Sequence, residues 1–225
     1  MRKAVFSVMA MLFVLSFAVT FILSNLQVVA FSDSFYKAEF KKYRVSESTG
    51  ISQEQLMVIS KDIRDYLLGK RDDIDVTVKV AGEVKPLFDR REIAHMKDVK
   101  DLFAKGFLVR NSFTVLLIMS VVYFVVAART KLYQLMKWVA VVSIGMIGIV
   151  FILLSMDFDR YFTYFHLIFF NNDLWLLDPS KEMLVNLFPQ GFFSDAAFYV
   201  LAYYTAELII AVMACRILGV ERRKR

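Results

Sequence analysis

Two histidines, His95 and His166, are the side chains best suited to moving protons near neutrality in a sequence of 225 residues, and their settings differ. His95 lies in the stretch "EIAHMKD", where Glu92 and Asp98 stand three residues before and after it and share its face if the stretch is helical. A carboxylate beside an imidazole fixes its tautomer and raises its pKa, which is the common way to orient a general base. The same spacing also describes a surface histidine in a charged helix. His166 stands in a phenylalanine-rich segment from Tyr161 to Phe193 that also holds Asn171, Asn172, Asp173 and Trp175. Hydrogen-bonding groups are costly in apolar surroundings unless they are used, so these residues argue against a loop that merely lies at an interface. The phenylalanines Phe165, Phe169, Phe170, Phe192 and Phe193 suit a surface that holds acyl chains.

Other chemistries lack their residues. The single cysteine, Cys215, allows no intrachain disulfide and no thiolate metal cluster. No H-E-x-x-H and no G-x-S-x-G occurs, and eight glycines form neither a phosphate-binding loop nor a dinucleotide turn. The sequence therefore predicts no metal and no cofactor. A net charge of +6 comes from basic residues beside apolar runs, without a nucleic-acid motif, which suits a membrane surface rather than DNA or RNA.

The elements that must carry the histidines follow from hydropathy. At 58% hydrophobic residues the chain is more apolar than a typical soluble domain, at roughly 45–50%. Four runs are long enough to cross a bilayer, which takes about 20 helical residues: Ala4 to about Ser24, Leu108 to Ala128, Leu135 to Ser155 and Ala196 to Leu218. Arg2 and Lys3, Arg129 and Lys131, and Arg222, Arg223, Lys224 and Arg225 flank them, and the positive-inside rule places all three clusters in the cytoplasm. Both termini are then cytoplasmic, and residues 25–107 and about 156–195 face outward. The first run competes with a cleavable export signal, because Val28-Val29-Ala30 resembles a cleavage site; its length favours an uncleaved signal-anchor over residues 1–24.

Residues 25–107 read as a small extracytoplasmic α+β cap. Ser52 and Gln55 form a capping box, and Leu56, Ile59, Ile63 and Leu67 recur at helical spacing up to Gly69. Ile74, Val76, Val78 and Val80 alternate with polar residues as a strand ending at Gly82, and Glu83 to Phe88 is its hairpin partner, held to an edge by Pro86. Asp89 caps a second helix that carries His95 and ends near Gly106, with Ile93, Met96, Val99 and Phe103 as its buried stripe. Residues 108–225 hold the remaining spans and the outward aromatic segment. The predicted fold class is a polytopic α-helical membrane protein, four transmembrane helices with this cap between the first two. Glu207, inside the fourth span, needs a partner, for which Lys137 and Arg110 are candidates.

Taken together, "EIAHMKDV" from Glu92, "FHLIFFNNDLWLLDP" from Phe165 and "FPQGFF" from Phe188 resemble the lipoprotein intramolecular transacylases (Lit), integral membrane enzymes of low-GC Gram-positive bacteria. Where that family often has Thr-Asp after the proline, Lys181-Glu182 stands here. The resemblance covers essentially the whole chain. It implies transfer of the sn-2 acyl chain of a diacylglyceryl lipoprotein to the α-amino group of its N-terminal cysteine, with that lipoprotein and membrane lipid as the partners. It also implies His95 and His166 as the acid/base pair, in either order. Glu92, Asp98 and Asp173 would orient the imidazoles, and Asn172 and Trp175 would donate to the tetrahedral intermediate. The rival reading is a non-enzymatic membrane protein whose cap docks a partner. The two part on one distance: histidines within reach of one substrate centre favour catalysis, and a separation beyond about 15 Å favours the rival.

Overall fold

The computed structural model describes residues 2–80 and 83–217. The expected turn at Gly82, the end of the last span at Leu218 and the basic cluster at residues 222–225 lie outside them. In chain order the elements are α1 (Arg2–Ala30), α2 (Asp33–Lys42), α3 (Val45–Thr49), α4 (Gln53–Leu67), β1 (Thr77–Val80), β2 (Glu83–Pro86), α5 (Arg90–Ala127), α6 (Arg129–Met156), α7 (Phe158–Phe169), α8 (Met183–Leu187) and α9 (Gln190–Ile217). Four of these, α1, α5, α6 and α9, contain stretches long and apolar enough to cross a membrane. The chain is a multi-pass, mainly helical membrane protein.

Two compact units divide the chain. The spanning unit comprises residues up to 27, 107–156 and from 198 onward. Its interior is a cluster of Phe13, Phe17, Phe124, Met136, Val139, Tyr204 and Leu208. One polar link joins Asn25, whose Nδ2 donates to Glu207 Oε2 at 2.7 Å. The partner of Glu207 is thus Asn25, 182 residues away, and not Lys137 or Arg110. Lys137 instead lies over the Tyr133 ring, and Arg110 bonds its neighbour Asn111. Periodicity places a residue on a helix face but does not say which other helix that face meets.

The second unit joins residues 28–106 with residues 157–197, two stretches separated by fifty residues of spanning helix. Ser52 and Gln55 do form a reciprocal capping box at the start of α4, and Leu56, Ile59, Ile63 and Leu67 are buried from it. The helix ends at Gly69, whose φ of +72° is the left-handed conformation that glycine adopts without steric cost. β1 and β2 pair antiparallel with Thr77 opposite Pro86, and Pro86 ends the second strand. The alternation continues outward, since Leu87 N donates to Val76 O at 2.8 Å.

Helix α2 was not among the expected elements. Ser32 caps it, and Phe35, Tyr36 and Phe40 pack from it into an aromatic core with Phe188 and Phe192. Nor does the helix carrying His95 stop near Gly106. It runs unbroken to Ala127, because one glycine inside a helix costs only about 1 kcal/mol and no proline or cap residue follows to end it. The buried positions of its first part are Glu92, His95 and Met96, while Ile93, Val99 and Phe103 are only partly covered. Helix α9 begins directly after Pro189, where the fixed φ of proline suits a helix entry. Gly191 in its first turn admits the Tyr43 phenol so closely that any Cβ there would collide with it.

Candidate active site

The start of α5 is built around Glu92. Its backbone N–H donates to Asp89 Oδ1 at 2.8 Å and its Oε2 accepts the Asp89 N–H at 2.7 Å, a reciprocal cap for two otherwise unpaired helix donors. The other oxygen, Oε1, accepts the N–H of Leu184 at 2.6 Å. Burial raises the Glu92 pKa, and the backbone N–H groups of Asp89 and Leu184 oppose that rise. Glu92 therefore spends its carboxylate on the backbone rather than on the His95 ring. It ties the first turn of α8 to the helix that carries His95.

One turn further along α5, His95 is buried at 8% exposure. Burial lowers its pKa to about 4, helped by the nearby His166 and opposed by Asp98. Its Nδ1 is enclosed and has no hydrogen-bond partner among the described residues. His166, in the last turn of α7, is equally buried. Its Nδ1 donates to the carbonyl of Phe162 one turn earlier, at 2.7 Å. That bond fixes the tautomer, so Nε2 carries the lone pair. Burial lowers the His166 pKa as well, with the Phe162 bond opposing. Both imidazoles are accordingly neutral at pH 7, one with a defined acceptor nitrogen.

The two rings lie 6.2 Å apart, centroid to centroid, inclined by 35°. Seventy-one residues of sequence separate them, and the distance is well inside the 15 Å that divides the two functional readings. Around them stands an aromatic wall. Trp175 stacks on His166 at 4.7 Å and 23°, Phe162 meets it edge-on at 4.5 Å, and Phe170 lies 5.5 Å from His95 and 5.6 Å from His166. Phe165 and Phe169 continue the wall outward, 4.9 Å apart and partly exposed. Phe193 stacks on Phe162 at 5.0 Å. Phe192, by contrast, is buried in the core around Phe35 and Tyr36 and presents no surface for an acyl chain.

Asn172 and Trp175 in the loop after α7 are engaged with α5 and with each other. Asn172 Nδ2 donates to Asp98 Oδ2 at 2.8 Å, and Trp175 Nε1 donates to the Asn172 carbonyl at 2.9 Å. The donors expected to meet an oxyanion are thus holding the loop. Asp173 contributes its carbonyl, which accepts from Arg91 Nη2 at 2.6 Å, and its own side chain is exposed. Arg91 and its second neighbour, Glu182 at 3.8 Å, were not legible as site residues: both look like surface charges until the loop is folded against α5. Beside the loop opens a cavity of about 130 Å³, lined by Asp98, Leu102, Lys105, Phe169, Phe170 and Asn172 among others. No three His, Cys, Asp or Glu side chains among the described residues converge to hold a metal.

The sequence profile described as lipoprotein intramolecular transacylase Lit matches residues 9–193, a stretch that includes both histidines. The chain belongs to this family. Its fold is also that of solved Lit structures. The membrane-integral lipoprotein intramolecular transacylase Lit from Bacillus cereus is 17% identical, superimposes with a TM-score of 0.82, and the alignment covers 96% of this chain and 97% of that one. Two forms of the same B. cereus protein with a histidine replaced, by arginine or by alanine, are 16% identical with TM-scores of 0.80; they cover 99% of this Lit-family chain and 95% and 97% of their own. No curated protein sequence matches it.

Proposed function

We propose that the chain moves the sn-2 acyl group of a diacylglyceryl lipoprotein to the α-amino group of the same lipoprotein's N-terminal cysteine, leaving an N-acylated lyso-form. The observation that carries the reading is the pair of buried, neutral imidazoles 6.2 Å apart. Nucleophile and electrophile belong to one substrate molecule, so the protein supplies no serine or cysteine nucleophile. It holds the two ends in attack geometry and moves protons.

An α-amino group, with a pKa of about 7.7–8.0, is largely protonated at neutral pH and must lose a proton to attack. His166 Nε2 accepts it, since Nδ1 is committed to the Phe162 carbonyl. That first proton is released to solvent; the amine nitrogen then bonds to the ester carbonyl carbon, the carbonyl oxygen becomes an oxyanion, and His166 Nε2 accepts the second proton from nitrogen. His95, the second neutral imidazole, is the candidate donor to that oxyanion. Collapse breaks the bond from carbon to the glycerol oxygen, which takes a proton back from the His166 imidazolium. Asp98 faces His95 and offsets part of the cost of any charge there.

Phe165, Phe169, Phe170 and Phe193 supply the apolar surface for acyl chains beside the rings. By the positive-inside rule the basic clusters beside the spans support cytoplasmic termini and an extracytoplasmic position for the stretches that carry the two histidines, the α+β stretch between α1 and α5 among them. The rival, a cap that only docks a partner, gives no reason for two histidines from distant stretches to share one aromatic-walled, water-poor site. Mass spectrometry of lipoprotein N-termini from cells with and without this protein tests the reading: N-acyl lyso-forms should appear only with it, and identical N-termini in both would refute it.

A further inference from the structure

Arg91 engages the loop after α7 at two residues, one through a hydrogen bond and the other through a longer ion pair. Its Nη2 donates to the Asp173 carbonyl at 2.6 Å, and its Nε lies 3.8 Å from Glu182 Oε1. Glu182 is itself buried, and its other oxygen accepts the Asp178 N–H. Between the two gripped residues, 173 and 182, lies Trp175, the ring stacked on His166. The carbonyl of Asn172, next to the gripped carbonyl, is what the Trp175 indole N–H holds. Arg91 thus fixes the backbone from which the indole is hung.

We propose that Arg91 is a positioning residue for the acyl shift, holding Trp175 flat on His166 so that the base stays dehydrated and its acceptor nitrogen stays aimed. This rests on the proposed function above. A guanidinium suits the task because its rigid fork can meet a carbonyl and a carboxylate at once, whereas an ammonium acts as a single point. Its first-turn position on α5 also puts it next to Glu92, whose carboxylate holds the Leu184 N–H, so two consecutive residues of α5 fasten the chain from Asp173 to Leu184.

The consequence is readable in pH. The groups facing His166 are His95 from α5, with Asp98 one turn beyond it, Trp175 and Phe170 from the loop, and Phe162 and Phe165 from α7 itself. None of these is a carboxylate in contact with His166, so loss of the indole cover admits water and returns the imidazole toward its ordinary value of about 6.5. A base with a raised pKa is protonated over more of the acid range, and the acid limb of the rate profile moves up.

The test uses the full-length protein in lipid or detergent with a synthetic diacylglyceryl lipopeptide as substrate. The chain has two tryptophans, and Trp138 in the spanning unit is exposed, so a Trp138→Phe background leaves Trp175 as the reporter. In that background Arg91→Ala should red-shift the emission, move the acid limb up toward about pH 6.5 and lower kcat about tenfold or more, with a smaller change in KM. Arg91→Lys should recover part of all three. Unchanged emission and an unmoved acid limb would overturn the proposal, whatever the rate, as would full activity in Arg91→Ala. If the parent protein itself makes no product the proposed function fails, and the emission arm alone still reports whether Arg91 holds Trp175.

Discussion

In the spanning unit the large buried side chains are mostly apolar, Phe13, Phe17, Phe124 and Leu208 among them, and the buried serines Ser16 and Ser120 bond carbonyls of their own helices. In the other unit Glu39, Arg64, Glu92, His95, His166 and Glu182 are all buried. The difference follows from solvent. A helix in hydrocarbon satisfies its backbone internally and has no water to hydrate a stray polar group, so polar links there are few, such as Asn25 with Glu207 and Ser143 with Tyr204. The second unit must instead order irregular backbone, and buried charges such as Arg64 and Glu92 do that by taking main-chain partners. Arg64 donates to the Phe31 carbonyl and pairs with Asp33, and Glu92 takes two N–H groups.

The strongest way to sharpen that contrast is to remove the chemistry while leaving the spans alone. His166→Ala should lower lyso-lipoprotein formation by about 10²–10⁴-fold, measured by mass spectrometry, with membrane insertion unchanged. Loss of insertion together with activity would mean that His166 is structural. Next in size come the two cores. Phe40→Ala empties a site in the aromatic core of the second unit and should cost about 3–5 kcal/mol in thermal or denaturant unfolding. Phe124→Ala in the spanning unit should cost less, because lipid gives the unfolded helices an apolar solvent too and only packing is lost. Equal costs would break the comparison.

A smaller effect is tied to pH. Glu39 on α2 is buried against Asp195, whose carboxylate also takes the Tyr43 phenol at 2.7 Å and the Lys42 ammonium. Burial first, and then Asp195, raise the Glu39 pKa from its ordinary 4.5 to about 7. The folded state therefore favours protonated Glu39. Its stabilisation is complete below the ordinary carboxylate value and is lost as pH rises through about 7. Melting temperature should fall across that window, and Glu39→Gln should flatten the fall; the same slope in both proteins would refute the assignment. The smallest change is Glu207→Gln, which keeps a hydrogen bond to Asn25 and should shift spanning-unit stability by less than about 1 kcal/mol, again by thermal melting.

Much of this molecule was legible one segment at a time. The four spans, the capped helix α4, the strand through Val80 and each motif of the family resemblance rest on signals within about twenty consecutive residues. Where reading failed it was at ends and partners. Gly106 looked like a stop because glycine often is one, yet a continuous apolar run outweighed it. Helix α2 has only ten residues and shows its aromatic face only against Phe188 and Phe192. Glu92 and Asn172 were picked out as site residues, but their bonds to Leu184 and Asp98 turn them into struts.

The amino-acid sequence by itself pointed to a membrane protein with four spans, singled out two histidines as candidates for acid/base work, and carried the pattern of the Lit family, because hydropathy, residue type and motif spacing are local properties. Only the tertiary structure decided that the two rings meet at 6.2 Å, that His166 offers Nε2, and that Arg91 reaches the loop bearing Trp175. The ring pair and the Arg91 contact depend on residues seventy or more positions apart, and the His166 bond depends on a ring rotamer within its own helix; periodicity carries no information about either.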